Sequence, residues 1–147
     1  MLRFISDCVS DTEAIAERLG SKLHSGNVVA YFGGLGMGKT AFTRGLAKGM
    51  GITADVASPT FAIVNDYGGN PPLVHFDMYK IESWDDLYSS GFFDYLDMGA
   101  VLAVEWSENI ENALPDDTIR VTIEKGENDN QRIITIEGID ENENFSS

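Results

Sequence analysis

The sequence predicts a three-layer α/β fold with a mixed sheet, parallel in its centre and antiparallel at its edges. Two nearly continuous apolar runs, Asn27–Phe32 and Gly99–Val104, are typical of strands that are buried on both faces. The first run leads through a glycine-rich turn into the helix-forming stretch Ala41–Met50. Two further segments, Thr118–Glu124 and Arg132–Glu137, alternate apolar and polar residues and predict an antiparallel hairpin. Buried strands and a helix therefore form the centre, and hairpins form the edges.

The N-terminal region predicts one strand and one helix. Leu2–Ile5 is a short strand candidate. Ser10–Glu13 has the pattern of a capping box, in which the serine and glutamate side chains satisfy free N–H groups at a helix start. Ile15 and Leu19 continue the pattern as an apolar stripe, and we expect the helix to end at Gly26.

The middle of the chain predicts a second hairpin and an interrupted helix. Phe61–Asn65 and Leu73–Met78 are expected to pair, because Asp66–Pro72 between them consists of turn-forming residues. A helical stretch follows, with Ser83 as its first capping residue and a break at Gly91. The helix and strand patterns together favour one α/β unit with edge hairpins.

Length and charge limit the possible functions. The 147 residues predict a single domain over residues 1–139, followed by an acidic, disordered tail over residues 140–147. Ten Lys and Arg against 24 Asp and Glu give a net charge of −14, which disfavours direct binding to nucleic acid or to an anionic membrane. No apolar run approaches the ~18 residues of a membrane span. Cys8 is the only cysteine, so no intrachain disulfide forms, and we expect a cytoplasmic protein.

The glycine-rich turn matches the pattern of a phosphate-binding loop. Gly33 and Gly38 are separated by four residues and are followed by Lys39 and Thr40. Glycines let the backbone adopt positive φ and approach an anion, and the following helix adds free N–H groups. The Lys39 ammonium is expected to reach the β- and γ-phosphates of a nucleotide, and the Thr40 hydroxyl to ligate Mg²⁺. The residues predicted to bind the nucleotide here are Gly34, Leu35, Gly36, Met37, Gly38, Lys39, Thr40 and Ala41.

A bound Mg²⁺ requires an acidic group at the end of a neighbouring strand. Glu105 follows the apolar run Gly99–Val104, and Asp77 follows the other predicted strand, so both are candidates. Thr60, in a loop, is a candidate for sensing the γ-phosphate. His75 shares a strand face with Asp77, and a hydrogen-bonded structural role is favoured over a general base. No Asn-Lys-x-Asp sequence is present, so the sequence shows no motif for selecting guanine nucleotides.

Four segments of the chain, in this order, resemble the TsaE family: GGLGMGKTAFTRGL, SPTF, HFDMY and VEW. The members are bacterial phosphate-loop ATPases that are needed for forming threonylcarbamoyladenosine in tRNA. The likeness extends from about Phe4 to Arg132. Many families share the phosphate loop, but its combination with the other three segments in so short a chain is specific.

The resemblance implies a small P-loop NTPase-like domain that uses ATP and Mg²⁺. It implies an ATPase that is weak alone, does not itself modify tRNA, and docks on the TsaD–TsaB pair. ATP hydrolysis would reset that complex between catalytic cycles, and tRNA would be met only through it.

The resemblance also implies residue roles. Lys39 and the loop amides hold the phosphates, and Thr40 ligates Mg²⁺ with Glu105 as the second metal-associated residue. Asp77 looks like the acid needed for hydrolysis, and Thr60 looks like the switch-loop threonine.

An adenine pocket is suggested between Thr12, near the first helix, and Arg132, in the C-terminal hairpin. One departure from the family pattern is visible at Lys80, where the family commonly has Arg. Lys is a point charge and Arg is a planar bidentate group. A phosphate or partner contact of the family's Arg is therefore not assigned to Lys80.

Two other functions remain open from the sequence. A small-molecule kinase also uses a compact phosphate-loop domain, but it needs basic residues on a lid, and few follow Lys48. A non-enzymatic module that signals through its bound nucleotide is the other alternative. Nucleotide turnover in the presence of partner proteins separates these functions from an accessory ATPase.

Overall fold

A computed structural model describes residues 1–33, 38–53 and 64–139, which form one seven-stranded sheet with helices on both faces. Among these residues, no helix is long and apolar enough to cross a membrane. The predicted tail, residues 140–147, lies outside them. The strands are β1 (Leu2–Ser6), β2 (Val28–Phe32), β3 (Val64–Gly69), β4 (Pro72–Asp77), β5 (Val101–Glu105), β6 (Ile119–Lys125) and β7 (Arg132–Glu137). The helices are α1 (Val9–Gly20), α2 (Lys39–Gly49), α3 (Trp84–Ser89), α4 (Phe92–Asp97) and a 3₁₀ helix (Ser107–Ala113).

The sheet confirms the predicted topology. Its strand order is β1-β7-β6-β2-β5-β4-β3. The central strands β6, β2, β5 and β4 are parallel to one another. The outer pairs β1–β7, β7–β6 and β4–β3 are antiparallel. The carboxyl ends of β2, β4 and β5 therefore meet at one edge of the sheet, where open α/β sheets bind ligands.

The two faces of the sheet carry separate cores. On β5, Val101 and Ala103 pack towards α1 and α2, while Leu102 and Val104 pack towards α3 and α4. This alternation follows from the two-residue period of a strand. Continued to the end of the strand, it directs Glu105 to the face that α1 and α2 cover.

Helices α1 and α2 are in backbone contact through three glycines. A Cβ atom at Gly20 would collide with the carbonyl oxygen of Leu46, and one at Gly45 would collide with that of Glu13. Gly49 is equally confined against α1. Since these three glycines have no side chains, the two backbones approach closely at these points, which fixes α2 relative to α1.

The start and end of α1 differ from the prediction. The capping box at Ser10–Glu13 is wrong, because the helix begins at Val9 with Ser10 inside its first turn. The N-cap residue, Cys8, makes no side-chain cap, and the Asp11 carboxylate accepts a hydrogen bond from the N–H of Asp7, which precedes the helix, at 3.0 Å. The helix ends at Gly20 and not at Gly26, since the chain continues in tight turns.

The middle of the chain confirms the predicted hairpin and the helix break. Strand β3 runs through Gly69 into a segment predicted as turn, because Gly69 pairs with Pro72 after a register shift that follows Asp66. Gly68 and Gly69 keep positive φ, at 75° and 106°. The Ser83 hydroxyl accepts a hydrogen bond from the Asp86 N–H at 3.1 Å and caps α3. Gly91, at φ 88°, separates α3 from α4.

Candidate functional site

The two glycines that border the phosphate-loop pattern have backbone conformations that other residues rarely adopt. Gly33 has φ 119° and Gly38 has φ 101°. A Cβ atom at Gly33 would also collide with the carbonyl oxygen of Ile123 on β6. Gly38 precedes α2 without any side-chain cap, so the first N–H groups of the helix receive no bond from a capping side chain. The predicted loop residues Gly34–Met37, and Thr60, lie outside the described residues.

Lys39 holds a buried ammonium group at the start of α2. The residue is only 6% exposed, and its Nζ donates to the Gly33 carbonyl oxygen at 3.3 Å. The same Nζ lies 5.8 Å from the ring centroid of Trp106. No carboxylate of the described residues is in ion-pair range of this ammonium. A buried cation that has no anionic partner among residues 1–33, 38–53 and 64–139 favours an anionic ligand nearby.

Two buried hydrogen bonds of the Thr43 hydroxyl fix the first turn of α2 against β2. The Thr43 hydroxyl donates to the Lys39 carbonyl oxygen at 2.9 Å and lies 2.7 Å from the Tyr31 hydroxyl. Thr40 and Ala41 lie in the same turn, so their backbone N–H groups belong to the first turn of the helix. The turn therefore presents Lys39, Thr40 and Ala41 together, as the motif predicts.

The two predicted acids lie side by side. Asp77 and Glu105 end β4 and β5 and are register partners in this parallel pair. The Met78 N–H donates to the Glu105 carbonyl oxygen at 3.0 Å, which extends the pairing by one residue. Among the described residues, no three His, Cys, Asp or Glu side chains form a group. Two carboxylates and a threonine hydroxyl suit Mg²⁺, which keeps waters and takes few ligands from the protein.

His75 is buried in contact with Glu105. Its Nε2 lies 2.6 Å from Oε2 of Glu105, while neither ring nitrogen makes a well-oriented hydrogen bond. The sequence predicted a structural, hydrogen-bonded histidine. His75 is buried, as a structural residue would be, but its contact with the carboxylate lacks hydrogen-bond geometry. Burial raises the pKa of Tyr31, and the negative charge of Glu105 raises it further, so the tyrosine stays a neutral hydroxyl.

A cavity of about 410 Å³ lies beside the start of α2. It brings together the two residues suggested for an adenine pocket, Thr12 on α1 and Arg132 at the start of β7. Arg132 is oriented by hydrogen bonds from Nη1 to the carbonyl oxygens of Asp129 and Gln131, at 2.7 and 2.9 Å. The cavity is also lined by Asp7, Cys8, Val9, Gly38, Ala41 and Asn130. Its volume is within the range of small-molecule sites.

Sequence reasoning missed the position of Trp106. This residue has φ 58°, a left-handed conformation that is uncommon for a residue with a side chain. Its ring lies 4.9 Å from that of Tyr79 and faces the Lys39 ammonium. The sequence signals were its place directly after Glu105 and its inclusion in the VEW segment, and neither distinguished it from a core or rim aromatic.

The fold and the site together define a class of protein. A mixed sheet with a parallel centre, a β2–glycine loop–α2 unit and acids at the ends of neighbouring strands are the features of a P-loop NTPase-like fold. The crystal structure of YdiB from Bacillus subtilis superposes with a TM-score of 0.75 at 33% sequence identity, covering 92% of this chain and 83% of that one. The neighbour therefore supports the class over most of the chain.

The family follows from sequence comparison. The family model described as "Threonylcarbamoyl adenosine biosynthesis protein TsaE" matches residues 6–134. A Bacillus subtilis protein named "tRNA threonylcarbamoyladenosine biosynthesis protein TsaE" is 39% identical over 124 residues, 84% of this chain and 77% of the relative. A protein of the same name from Treponema pallidum is 34% identical over 122 residues, 83% of this chain and 90% of the relative. The chain belongs to the TsaE family.

Proposed function

We propose that this chain is a Mg²⁺-dependent ATPase subunit that serves threonylcarbamoyladenosine formation in tRNA by acting on the TsaD–TsaB complex. The observation that carries the proposal is the buried Lys39 ammonium at the start of α2, next to a left-handed Gly38. A fixed cation at the N-terminus of a helix, where the helix dipole is positive, forms an anion site. The names of the relatives supply the pathway.

The phosphates are held by the start of α2. Lys39 exchanges its hydrogen bond with the Gly33 carbonyl for one with a phosphate oxygen, and Gly38 lets the backbone approach closely. The hydrogen bond from Thr43 to the Lys39 carbonyl oxygen keeps the turn in place while the ammonium moves. The side chain of Trp106 limits where that ammonium can go.

The carboxylates at the strand ends serve hydrolysis. When bound, Mg²⁺ neutralises the charge that develops on the transferred phosphoryl group. The Thr40 hydroxyl and the Glu105 carboxylate are the groups that would hold it, and His75 contacts the same carboxylate. We infer that Asp77, the register partner of Glu105, orients the attacking water. Thr60, which lies outside the described residues, is proposed to sense the γ-phosphate.

The adenine base occupies the cavity between α1 and β7. Thr12 has its hydroxyl fixed 2.7 Å from the Ser6 hydroxyl, so one wall of this cavity is rigid. Arg132 forms the other wall, and its planar guanidinium can stack on a base. Because Gly38 and Ala41 line both the cavity and the start of α2, base and phosphates bind as one connected nucleotide.

The single cysteine reports on this cavity. Cys8 is exposed and lines it, so we expect saturating ATP to slow maleimide labelling of Cys8 about tenfold or more. Labelling is followed by mass spectrometry, with the Cys8→Ser variant as the blank. Tripolyphosphate, which has no base, should leave the labelling rate unchanged. Equal protection by ATP and tripolyphosphate would place the base elsewhere.

The partner assignment rests on charge and on the family. A net charge of −14 disfavours direct contact with RNA, so tRNA is reached through the complex. The test is release of inorganic phosphate from ATP by the chain, alone and with purified TsaD–TsaB. We expect turnover that rises when the complex is added. Transfer of phosphate to a small acceptor would indicate a kinase, and bound ATP that never turns over would indicate a binding module.

A further inference from the structure

Two exposed aromatic side chains and one partly buried one form a patch on the α3–α4 side of the sheet, here called the α3–α4 patch: Trp84, Tyr88 and Phe93. Trp84 is 54% exposed and Tyr88 is 62% exposed. The ring of Tyr88 lies 4.9 Å from that of Phe93, and the ring of Trp84 stacks 6.5 Å from it. Exposed tryptophan and tyrosine are enriched at protein interfaces and scarce on other surfaces.

A small cleft adjoins the patch. It has a volume of about 180 Å³ and lies between α3 and the 3₁₀ helix. Trp84 belongs to both the patch and the cleft, and Ile81, Leu87 and Ile110 form the apolar lining. An apolar cavity of about 150 Å³ accepts a benzene-sized group, so this cleft accommodates one large side chain and not a nucleotide.

The acidic charge of the chain is concentrated around this surface. Residues 81–119 contain ten acidic residues and no Lys or Arg, whereas the rest of the chain has fourteen acidic residues against all ten basic ones. Glu111 contacts Arg120 at 2.6 Å, and Glu105 contacts His75. Among the described residues, the other carboxylates of this stretch are in no ion pair. Those exposed on α3, α4 and the cleft rim are Glu82, Asp85, Asp86, Asp94, Asp97 and Glu108.

The cleft is connected to the strand-end acids. The 3₁₀ helix starts two residues after Glu105, and the segment that leads into α3 starts directly after Asp77. Asn109 of the 3₁₀ helix joins the two segments, since its Nδ2 donates to the Met78 carbonyl oxygen at 2.8 Å. This hydrogen bond links the two chain segments that follow the acids and line or border the cleft.

We propose that the α3–α4 patch and the adjoining cleft are the surface through which this chain docks on TsaD–TsaB. The partner presents a basic face, and one of its arginine side chains stacks on Trp84 and enters the cleft. Aromatic rings and carboxylates together are what a guanidinium recognises, through cation–π attraction and charge-assisted hydrogen bonds. This inference rests on the proposed function, because it assigns the docking surface of the same assembly.

The test measures the affinity of TsaD–TsaB for variants of the full chain in the presence of ATP. We expect Trp84→Ala to weaken binding about tenfold or more. Ile5→Ala is the matched control, because Ile5 is similarly exposed, at 56%, but lies on β1 at the far edge of the sheet. That variant should bind within about twofold of wild type. ATP affinity of the isolated variants should not change, which shows that the fold is intact.

A charge reversal tests the electrostatic part. Asp97→Lys should slow association about tenfold at low salt and reduce the dependence of the association rate on salt. Glu137→Lys makes the same change in net charge on exposed β7 and should have little effect. If both charge variants lost binding equally, the net charge of the chain alone would explain the association, and the proposed docking surface would be wrong.

The possible failures are distinguishable. If wild-type chain does not bind TsaD–TsaB, the proposed function fails and the docking surface fails with it. If wild type binds and Trp84→Ala binds equally well, only the docking surface is wrong. Sedimentation of the isolated chain tests whether the patch instead binds a second copy of this chain. A dimer that is dissociated by Trp84→Ala would show such a contact and overturn the proposal.

Discussion

Replacing Lys39 with alanine is expected to reduce ATP hydrolysis about 100-fold or more. The ammonium is buried and already aimed at the loop, so its charge acts on phosphate oxygens with little solvent screening. Removing one fixed donor from a transition state typically costs two to three orders of magnitude, roughly 100- to 1,000-fold. Nucleotide affinity should fall as well, because the same ammonium contacts the ground-state phosphates. The measurement is phosphate release with TsaD–TsaB present, together with ATP titration of the isolated variant.

Lys48→Ala is the matched control for this variant. Lys48 lies on the same helix but on its exposed side, with Nζ 3.9 Å from a Glu13 carboxylate oxygen. Loss of so exposed a contact should change activity and stability little. A melting temperature for Lys39→Ala separates a catalytic defect from unfolding. Unchanged turnover and tRNA modification in a folded Lys39→Ala protein would contradict the ATPase proposal.

Glu105→Gln should separate hydrolysis from binding. We expect the turnover number to fall about 100-fold, since the amide cannot supply the charge that hydrolysis requires. The dissociation constant of ATP should change by less than about threefold, because Lys39 and the loop amides still hold the phosphates. Glutamine has nearly the shape of glutamate, so the contact with buried His75 is kept and the strand end is not disturbed.

Glu124→Gln provides the control for this change. Glu124 is an exposed residue on β6 and loses the same charge without touching the site. A parallel loss of affinity and turnover in Glu105→Gln would contradict the assigned role, since it would mean that the carboxylate serves ground-state binding. Titrating ATP against both variants and measuring their single-turnover rates decides between the two results.

Local sequence signals predicted the elements that local chemistry controls. The Ser83 cap and the Gly91 break are examples, because a serine that accepts the Asp86 N–H and a glycine at positive φ act within four residues of themselves. The buried strands β2 and β5 were also predictable, because strands covered on both faces have an uninterrupted apolar sequence.

Features that depend on distant partners were not predictable. The pairing of Gly69 with Pro72 after a register shift depends on the position of β4, so the turn residues alone do not predict it. Helix α1 begins after Cys8 without a side-chain cap, although Ser10 and Glu13 fit the capping pattern. For the site, the sequence predicted Asp77 and Glu105 separately, but only the parallel register of β4 and β5 makes them neighbours. The contact between His75 and Glu105 needs the same register.

The glycine contacts between α1 and α2 also determine how a ligand is received. Val9 and Thr12 on one helix, and Ala41 on the other, line the same cavity. Because Gly20 and Gly45 bring the two backbones together, these opposing walls are already in place before any molecule enters. A preorganised pocket loses little conformational entropy on association, so affinity is set by the contacts it makes. We therefore expect any movement that reports the state of the occupant to arise away from α1 and α2, at the ends of β4 and β5.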